Sequence, residues 1–400
     1  MSLGTAAPMS LIPVVDERLR TTSLCLAVAS GSRDDPDGLG GAAHLLEHLV
    51  MSLPLAGGAS FSERVERLGG RANAETGLEQ MLYYAQVHAD DADEAATLLL
   101  RAFTAPGFTQ SALDDEREVV LQELAAAAAD PADAVQDAVL AALFPGHPLG
   151  RPVGGDPRQL RAVTLDDIRA AHAALVNAPA ALTVVGPRIP GALRGLPRGT
   201  RPAPAAAVPP APLRPVSSPA FALPAEADYS WLCLGARSPR AGSPLRPAYT
   251  VLAQLLGSSP SSLLYRALRG ERQLSYAFQA WDRGYREAGA WRVLIGTGPD
   301  QAGEAVEVVR GLLARLAERG PDAADLQAAR RQAAMGLVLD AEEPMERARL
   351  TADRTAAGTL PWSPESEAAA LRAVTADRVR AAAADVAAHL LVTVRPEAQR

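Results

Sequence analysis

The chain has 400 residues, of which 48% are hydrophobic and 21% are charged, with a net charge of −7. This balance is typical of a folded globular protein, and the length predicts two or more domains because one core rarely serves so long a chain. No dense Lys/Arg run occurs, and no uncharged run approaches the roughly 18 residues needed to span a bilayer. We therefore expect neither a nucleic-acid partner nor membrane association.

The cysteines and the N-terminal residues bear on the cellular compartment. Cys25 and Cys233 both fall in apolar, strand-like runs, which favours buried thiols over a disulfide framework or a sulfur-rich zinc site. The first ten residues lack a basic segment followed by an apolar one, so we expect no secretory signal. These features predict a cytoplasmic protein.

The first half of the chain shows alternating strand and helix patterns. Before Thr21 the sequence is short and polar, and we assign no strand there. Apolar runs bounded by turn residues predict strands at 21–30, 81–88 and 181–186. Helical spacing predicts helices at 44–48, 61–68, 91–103 and 114–129, and a capping-box pattern predicts a further helix start at Thr164.

The second half repeats this pattern after a proline-dense stretch. Corresponding segments lie about 210 residues apart, which indicates a duplicated unit. We predict an α+β fold of two homologous α/β-sandwich domains. Their expected boundaries are 1–190 for the N-terminal domain, 191–224 for a Pro-rich linker and 225–400 for the C-terminal domain.

The stretch from Gly40 to Met51 carries the strongest chemical signal. His44 and His48 stand at i and i+4 on one face of the predicted helix, with Glu47 directly before the second histidine. Two imidazoles at that separation can bind one metal ion, and the order H-x-x-E-H is the inverted zincin signature. The alternative is an unrelated histidine pair on an amphipathic helix. The corresponding part of the second half offers no ligand side chain, so only one metal ion per chain is expected.

A catalytic zinc ion needs three protein ligands and an open fourth position. The helix predicted at 114–129 offers Glu116 and Glu123, seven residues apart on one face. Here the sequence resembles the pitrilysin/insulinase family of metallopeptidases, in the branch that includes the mitochondrial processing peptidase. That family pairs H-x-x-E-H with a later glutamate, and Glu123 stands at the matching place, 75 residues after His48. Further matching segments are 69–76 with Tyr83 and Tyr84, 31–34, 146–151 and, in the second half, 256–276.

The resemblance implies a role for each residue of the metal site. His44, His48 and Glu123 would bind one Zn²⁺ per chain. Glu47 would be the general base, taking a proton from the metal-bound water and delivering it to the leaving amine. Glu116 would orient a ligand histidine, with a solvated helix charge as the alternative.

Three more residues receive substrate-binding roles from the resemblance. Asn73, beside a strand edge, would contact the backbone of a peptide bound by strand addition, unless it only serves a turn. Arg272 and Tyr276 would hold the substrate carbonyl and stabilise the oxyanion. The alternative for this pair is a helix C-terminal cation and a core aromatic residue.

The implied function is zinc-dependent hydrolysis of internal bonds in short or unfolded peptides. In the family, half-size chains dimerise around a chamber that excludes folded proteins, so a peptide substrate and a homodimer or heterodimer with a homologous peptidase subunit are expected. One alternative is a subunit of a heterodimeric processing peptidase, for example one that removes leader peptides from natural-product precursors. The other is a non-catalytic assembly subunit, which typically loses part of the zinc motif.

Overall fold

The computed structural model describes residues 9–55, 58–198, 213–214, 229–257, 259–357 and 362–396. These residues form two compact units, and each unit includes a segment from the opposite half of the sequence. Unit 1 takes its described residues from Met1–Leu124, Arg151–Pro209 and Leu339–Ser363, and unit 2 from Ala125–Gly150, Pro210–Val338 and Pro364–Arg400.

The regular elements follow the chain in this order. The strands are β1 Met9–Val15, β2 Thr21–Val28, β3 Arg71–Thr76, β4 Met81–His88, β5 Ala180–Gly186, β6 Ser230–Ser238, β7 Ala277–Gly284, β8 Gly289–Thr297 and β9 Leu391–Arg395. The α-helices are α1 Ala42–Ser52, α2 Phe61–Arg67, α3 Ala92–Thr104, α4 Gln110–Ala129, α5 Pro131–Leu143, α6 Pro157–Ala162, α7 Leu165–Asn177, α8 Arg246–Leu256, α9 Ala302–Arg319, α10 Ala323–Glu342, α11 Pro344–Ala356, α12 Pro364–Arg372 and α13 Ala376–Ala388. A π-helical segment, Tyr265–Glu271, follows α8.

Unit 1 is built on a five-stranded sheet of order β1-β5-β2-β4-β3. β1 runs parallel to β5, and the other neighbours are antiparallel. β3 is the edge strand that follows the metal-motif helix in sequence, and its outer backbone groups have no strand partner within the described sheet.

The strand β1 was missed by the sequence interpretation, which assigned no strand before Thr21. Its residues Met9 and Leu11 are buried, and Leu11 pairs with Leu182 of β5. Pro13 interrupts the pattern, but a proline without an N–H donor is tolerated because β1 is an edge strand. The partner strand is remote in sequence, so nothing near residue 9 reveals the pairing.

The two faces of the unit 1 sheet pack against different helices. Because strand side chains alternate, Leu24 and Leu26 of β2 join the main core with α1 and α3, while Cys25 and Ala27 face the other side. That other side is covered by α11, whose small side chains allow close packing. The α11 residues in this contact are Ala348, Ala352 and Ala356.

Unit 2 is built on a four-stranded antiparallel sheet of order β7-β8-β6-β9. α5, from the first half of the sequence, packs against β6 and β9. Gly235 of β6 permits this approach, since a Cβ there would lie 3.0 Å from Val139 Cγ2 and 3.2 Å from Leu143 Cδ1. The exchange of α5 and α11 between the units is thus reciprocal.

The repeat predicted from sequence is confirmed by the element order. From β2 to β5 the chain forms two helices, two strands and five helices before the last strand. From β6 to β9 it does the same, with the π-helical segment in place of α2. The α+β fold with an internal duplication therefore agrees with the prediction. The predicted linker at 191–224 lies outside the described residues apart from 191–198 and 213–214.

Among the described residues, no helix is both long and apolar enough to cross a membrane.

Candidate metal centre

Helix α1 carries the two histidines, and its N-terminal turn is held from outside the helix. Gly41 at the N-cap has φ +102°, a left-handed conformation that favours glycine. The Asp35 carboxylate accepts hydrogen bonds from Gly41 N at 2.8 Å and from Ala43 N at 2.9 Å. Burial raises the pKa of Asp35 to about 6, although these two donors act to lower it. On its apolar side α1 is anchored in the core by Leu45, Leu46, Leu49 and Val50.

The two histidines and Glu123 converge on one point. The His44 and His48 rings have centroids 4.9 Å apart and planes at 82°. Glu123 Oε2, on α4, lies 3.6 Å from His44 Nε2 and 3.4 Å from His48 Nε2. One ligand atom from each residue lies within 4.8 Å of the others, and no other such group occurs in the part of the chain that the structure describes.

These distances can be tested against zinc coordination. Bonds of about 2.0–2.1 Å at tetrahedral angles place two ligand atoms about 3.4 Å apart. The two Nε2–Oε2 distances, 3.4 and 3.6 Å, match that separation. Two imidazoles and one carboxylate also leave the fourth position open, as catalytic zinc sites require. The donor set therefore fits a zinc ion.

Glu116 lies two turns before Glu123 on α4 and contacts the Nδ1 side of the His48 ring. Its Oε2 is 3.2 Å from His48 Nδ1, so His48 presents Nε2 to the convergence point. Only 19% of the Glu116 side chain is exposed, which excludes a merely solvated helix charge. A carboxylate in this position fixes the tautomer and orientation of a metal-binding histidine.

His44 is enclosed by the loop that contains Gly154. Its Nδ1 is buried and has no hydrogen-bond partner among the described residues. A Cβ at Gly154 would lie 3.7 Å from that nitrogen and only 2.4 Å from Leu124 Cδ2. Burial, followed by the neighbouring His48, lowers the pKa of His44. The neutral imidazole that a metal needs is therefore favoured.

Glu47 is held against the edge strand. Thr76 Oγ1 of β3 donates a hydrogen bond to Glu47 Oε2 at 2.5 Å. Burial raises the pKa of Glu47, and the Thr76 hydrogen bond opposes this shift. Tyr83 of β4 is also buried, its hydroxyl has no partner among the described residues, and burial together with the Glu47 charge raises its pKa.

Asn73 lies on β3, beside the strand edge as expected. Its Oδ1 accepts a hydrogen bond from Ala74 N at 2.9 Å, within a strand and not in a turn. The alternative of a turn residue is therefore excluded. The neighbouring Glu75 accepts a hydrogen bond from Tyr84 OH at 3.0 Å.

Arg272 and Tyr276 belong to unit 2, at the end of the π-helical segment and just before β7. Arg272 Nη1 lies 2.7 Å from Glu304 Oε1 in an exposed ion pair. Tyr276 is 69% exposed, so it is not a core aromatic residue. The Arg269 guanidinium carbon lies 5.4 Å from its ring centroid.

Sequence reasoning assigned no role to Asp35, Thr76 or Tyr83. Thr76 and Tyr83 belong to the family-like segment at 69–84. Strand alternation could have placed Thr76 on the face of β3 that meets α1. Asp35 lies in a turn nine residues before His44, and no local pattern indicates that it accepts bonds from α1.

Two family models match the chain, "Insulinase (Peptidase family M16)" over residues 14–157 and "Peptidase M16 inactive domain" over residues 191–333. An uncharacterized zinc protease of Mycobacterium tuberculosis is 31% identical over 354 residues, covering 82% of this chain and 77% of the relative. The chain therefore belongs to peptidase family M16, the insulinase family. The family resemblance inferred from the motifs is confirmed, and relatives of this chain are named zinc proteases.

The chain is also similar to a mitochondrial-processing peptidase subunit and to a bacterial protease of known structure. A probable mitochondrial-processing peptidase subunit beta of Arabidopsis thaliana is 28% identical over 168 residues, which cover 41% of this chain and 32% of the relative. A protease from Helicobacter pylori has a crystal structure that matches with a TM-score of 0.82 at 19% identity, covering 96% of each chain. At this identity the structural match shows a shared fold.

Proposed function

We propose that this chain is a zinc-dependent endopeptidase acting on short or unfolded peptides. The observation that carries the proposal is the convergence of His44 Nε2, His48 Nε2 and Glu123 Oε2, with Glu47 on the same helix. His44, His48 and Glu123 would hold one zinc ion, and membership of a family whose relatives are named zinc proteases supports this metal.

Peptide hydrolysis also needs residues that move a proton and residues that position the reacting groups. When bound, zinc polarises the scissile carbonyl and lowers the pKa of water toward about 7. Glu47 would accept the proton of the attacking water and later deliver it to the leaving amine. Burial raises the pKa of Glu47, which helps the carboxyl group retain that proton between the two steps. Thr76 would hold the carboxylate in place, and Glu116 would orient His48.

Substrate would bind along β3. An edge strand presents unpaired backbone N–H and C=O groups, so an extended peptide can add as a further strand. Asn73 would contact its backbone. Arg272 and Tyr276, both exposed in unit 2, would hold the substrate carbonyl and stabilise the oxyanion. Strand addition requires an unfolded segment, which is why folded proteins would be poor substrates.

We further propose that two chains enclose the reaction chamber, as a homodimer in the cytoplasm. The match to a mitochondrial-processing peptidase subunit beta supports a second candidate, one subunit of a heterodimeric processing peptidase. Retention of both the zinc motif and the Arg272/Tyr276 pair in one chain favours the first candidate. A non-catalytic assembly role is the least supported, because the zinc motif is complete.

The decisive experiment is hydrolysis of a quenched, unstructured peptide by the purified chain, with Glu47→Gln as the matched control. Cleavage that disappears in the variant and on chelation supports a self-sufficient zinc endopeptidase. No cleavage despite one zinc per chain would favour the heterodimeric candidate. No detectable zinc would contradict the proposed function and favour the assembly role.

A further inference from the structure

We propose that Arg349, on α11, is a positioning residue that holds the edge strand β3 in register for peptide addition. The proposal rests on the proposed function, since it assumes that β3 binds substrate. Arg349 belongs to the second half of the sequence, yet it lies in unit 1 with β3. Its partner Glu75 is 274 residues earlier in the chain.

Arg349 and Glu75 form an ion pair in which both side chains have further partners. Arg349 Nη2 reaches both carboxylate oxygens of Glu75, at 2.6 and 2.5 Å, and Nη1 lies 2.9 Å from Glu346 Oε1. The guanidinium carbon stands 5.0 Å from the Tyr84 ring centroid, and Tyr84 OH donates to the same Glu75 carboxylate. The Arg349 side chain is 25% exposed and the Glu75 side chain 44% exposed, so solvent screens the pair in part and the geometry of the contact carries the argument.

A second, solvent-exposed pair of opposite charges lies between the same helix and the same strand. Glu343, the N-cap residue of α11, has its Oε1 4.0 Å from Arg71 Nη2 at the start of β3. Glu75 lies near the end of β3, so α11 contacts the strand at both ends. Elsewhere α11 packs against β2 and β5, where its alanines join a buried cluster, and among the described residues Arg349 and Glu343 are its charged contacts with β3.

The position of Glu75 in the strand explains why the contact matters for substrate. Because side chains alternate along a strand, Asn73 and Glu75 lie on one face of β3 and Thr76 lies on the opposite face. Thr76 is bonded to Glu47 on that opposite face. Within the described sheet β3 has a strand neighbour on one side, and beyond that ladder it contacts α1 and α2, so further side-chain contacts are needed to fix its edge. β3 is therefore restrained on one face by the Thr76–Glu47 hydrogen bond and on the other face by the Arg349–Glu75 ion pair.

Two variants and a control test this role. Arg349→Met removes the positive charge and keeps much of the apolar stem, and Glu75→Gln removes the negative charge of its partner. A double variant combines the two substitutions. Arg188→Met breaks the Arg188–Asp93 pair, which lies elsewhere in unit 1 and does not touch β3. We expect Arg349→Met to raise KM for a quenched peptide about tenfold, with little change in kcat or zinc content. Glu75→Gln should add little further loss in the Arg349→Met background, because the two residues act as one unit.

Hydrogen exchange of the β3 amides gives a readout that does not depend on catalysis. We expect faster exchange at 71–76 in Arg349→Met, and wild-type exchange there in Arg188→Met. Unchanged exchange at β3, an unchanged KM in a variant that still cleaves, or fully additive losses in the double variant would each overturn the proposal. If the wild-type chain alone cleaves no peptide, the self-sufficient endopeptidase is contradicted, and the exchange comparison still decides whether Arg349 restrains β3.

Discussion

The two units share one order of helices and strands, but the equivalent helix pairs meet through different side chains. In unit 1, α1 and α4 meet through His48 and Glu123, whose Nε2 and Oε2 atoms are 3.4 Å apart. In unit 2 the corresponding helices, α8 and α10, meet through Gln254 and Gln332, with Gln254 Nε2 donating to Gln332 Oε1 at 3.0 Å. Two amides satisfy each other, whereas imidazole and carboxylate groups direct lone pairs to a shared point. The duplication thus separates a helix pair whose imidazole and carboxylate atoms converge on one point from a helix pair joined by two amides.

The first turns of α1 and α8 are also satisfied differently. α1 depends on the Asp35 carboxylate, which reaches its N-terminal turn from outside the helix. α8 begins with Pro247 in its first turn, where proline needs no N–H partner. The first turn of α1 is therefore capped by a side chain six to eight residues earlier in the chain, whereas α8 has a proline where an N–H would need a partner.

The largest effect should come from exchanging a ligand. Glu123→Gln should weaken zinc binding by more than about 100-fold, the upper range for residues outside the coordination sphere, and abolish peptide cleavage. Gln332→Glu, at the facing position in unit 2, should create no zinc site because α8 carries no histidine. Zinc content by elemental analysis checks both. A second zinc ion in Gln332→Glu would break the comparison.

A smaller loss is expected for the carboxylate behind His48. Glu116→Gln should lower zinc affinity about 10- to 100-fold, because His48 Nδ1 loses a charged partner. Competition with a chelator of known affinity measures this. Glu118→Gln, on an exposed part of α4, is the matched control and should leave zinc affinity unchanged. Equal affinities for the two variants would show that Glu116 does not act on the site.

Asp35 should give unit 1 a pH dependence of stability. Its pKa of about 6 in the folded chain exceeds the unfolded value near 3.8, so the folded state binds the proton more tightly. Stability contributed by this group is therefore full below about pH 4 and is lost as the pH rises through 6. Relative to Asp35→Asn, the wild-type free energy of unfolding should fall by about 2 kcal/mol over that range.

Urea unfolding of the zinc-free proteins across pH 4–7 measures this difference. An opposite slope would mean that the Gly41 and Ala43 N–H donors keep Asp35 ionised in the folded chain. Asp93→Asn serves as the comparison, because the ion pair with Arg188 lowers the pKa of Asp93. For that residue the sign is reversed, so its contribution to stability is lost as the pH falls.

The smallest effect belongs to the neutral pair of unit 2. Gln332 accepts from Ser259 Oγ at 3.2 Å and donates to Ser261 Oγ at 2.9 Å, in addition to its bond with Gln254. Gln332→Ala should cost about 1 kcal/mol of unfolding free energy while zinc content stays at one per chain. Arg331→Ala, at the exposed neighbouring position, is the control. Loss of zinc in Gln332→Ala would contradict the separation of the two sites.

Much of the metal site followed from spacing within single helices. Because α-helical periodicity places i, i+4 and i+7 on one face, His44 and His48 had to lie together, as did Glu116 and Glu123. The sequence left either glutamate open as the third ligand, and the family resemblance selected Glu123. The structure places Glu123 at both Nε2 atoms and Glu116 at His48 Nδ1. The catalytic and metal-binding roles of these residues, like those of Arg272, Tyr276 and Asn73, stay predictions.

Local sequence patterns were enough to predict the strands at 21–30, 81–88 and 181–186, several helices of the first repeat, the histidine pair and the absence of ligand side chains in the second copy. These features depend on the periodicity of neighbouring residues. The pairing of β1 with β5, the packing of α11 on the unit 1 sheet and the contact of Arg349 with Glu75 could be seen only in the folded chain. Such contacts join residues remote in sequence, and they are selected by packing and charge complementarity across the folded unit, which leave no periodic pattern in the chain.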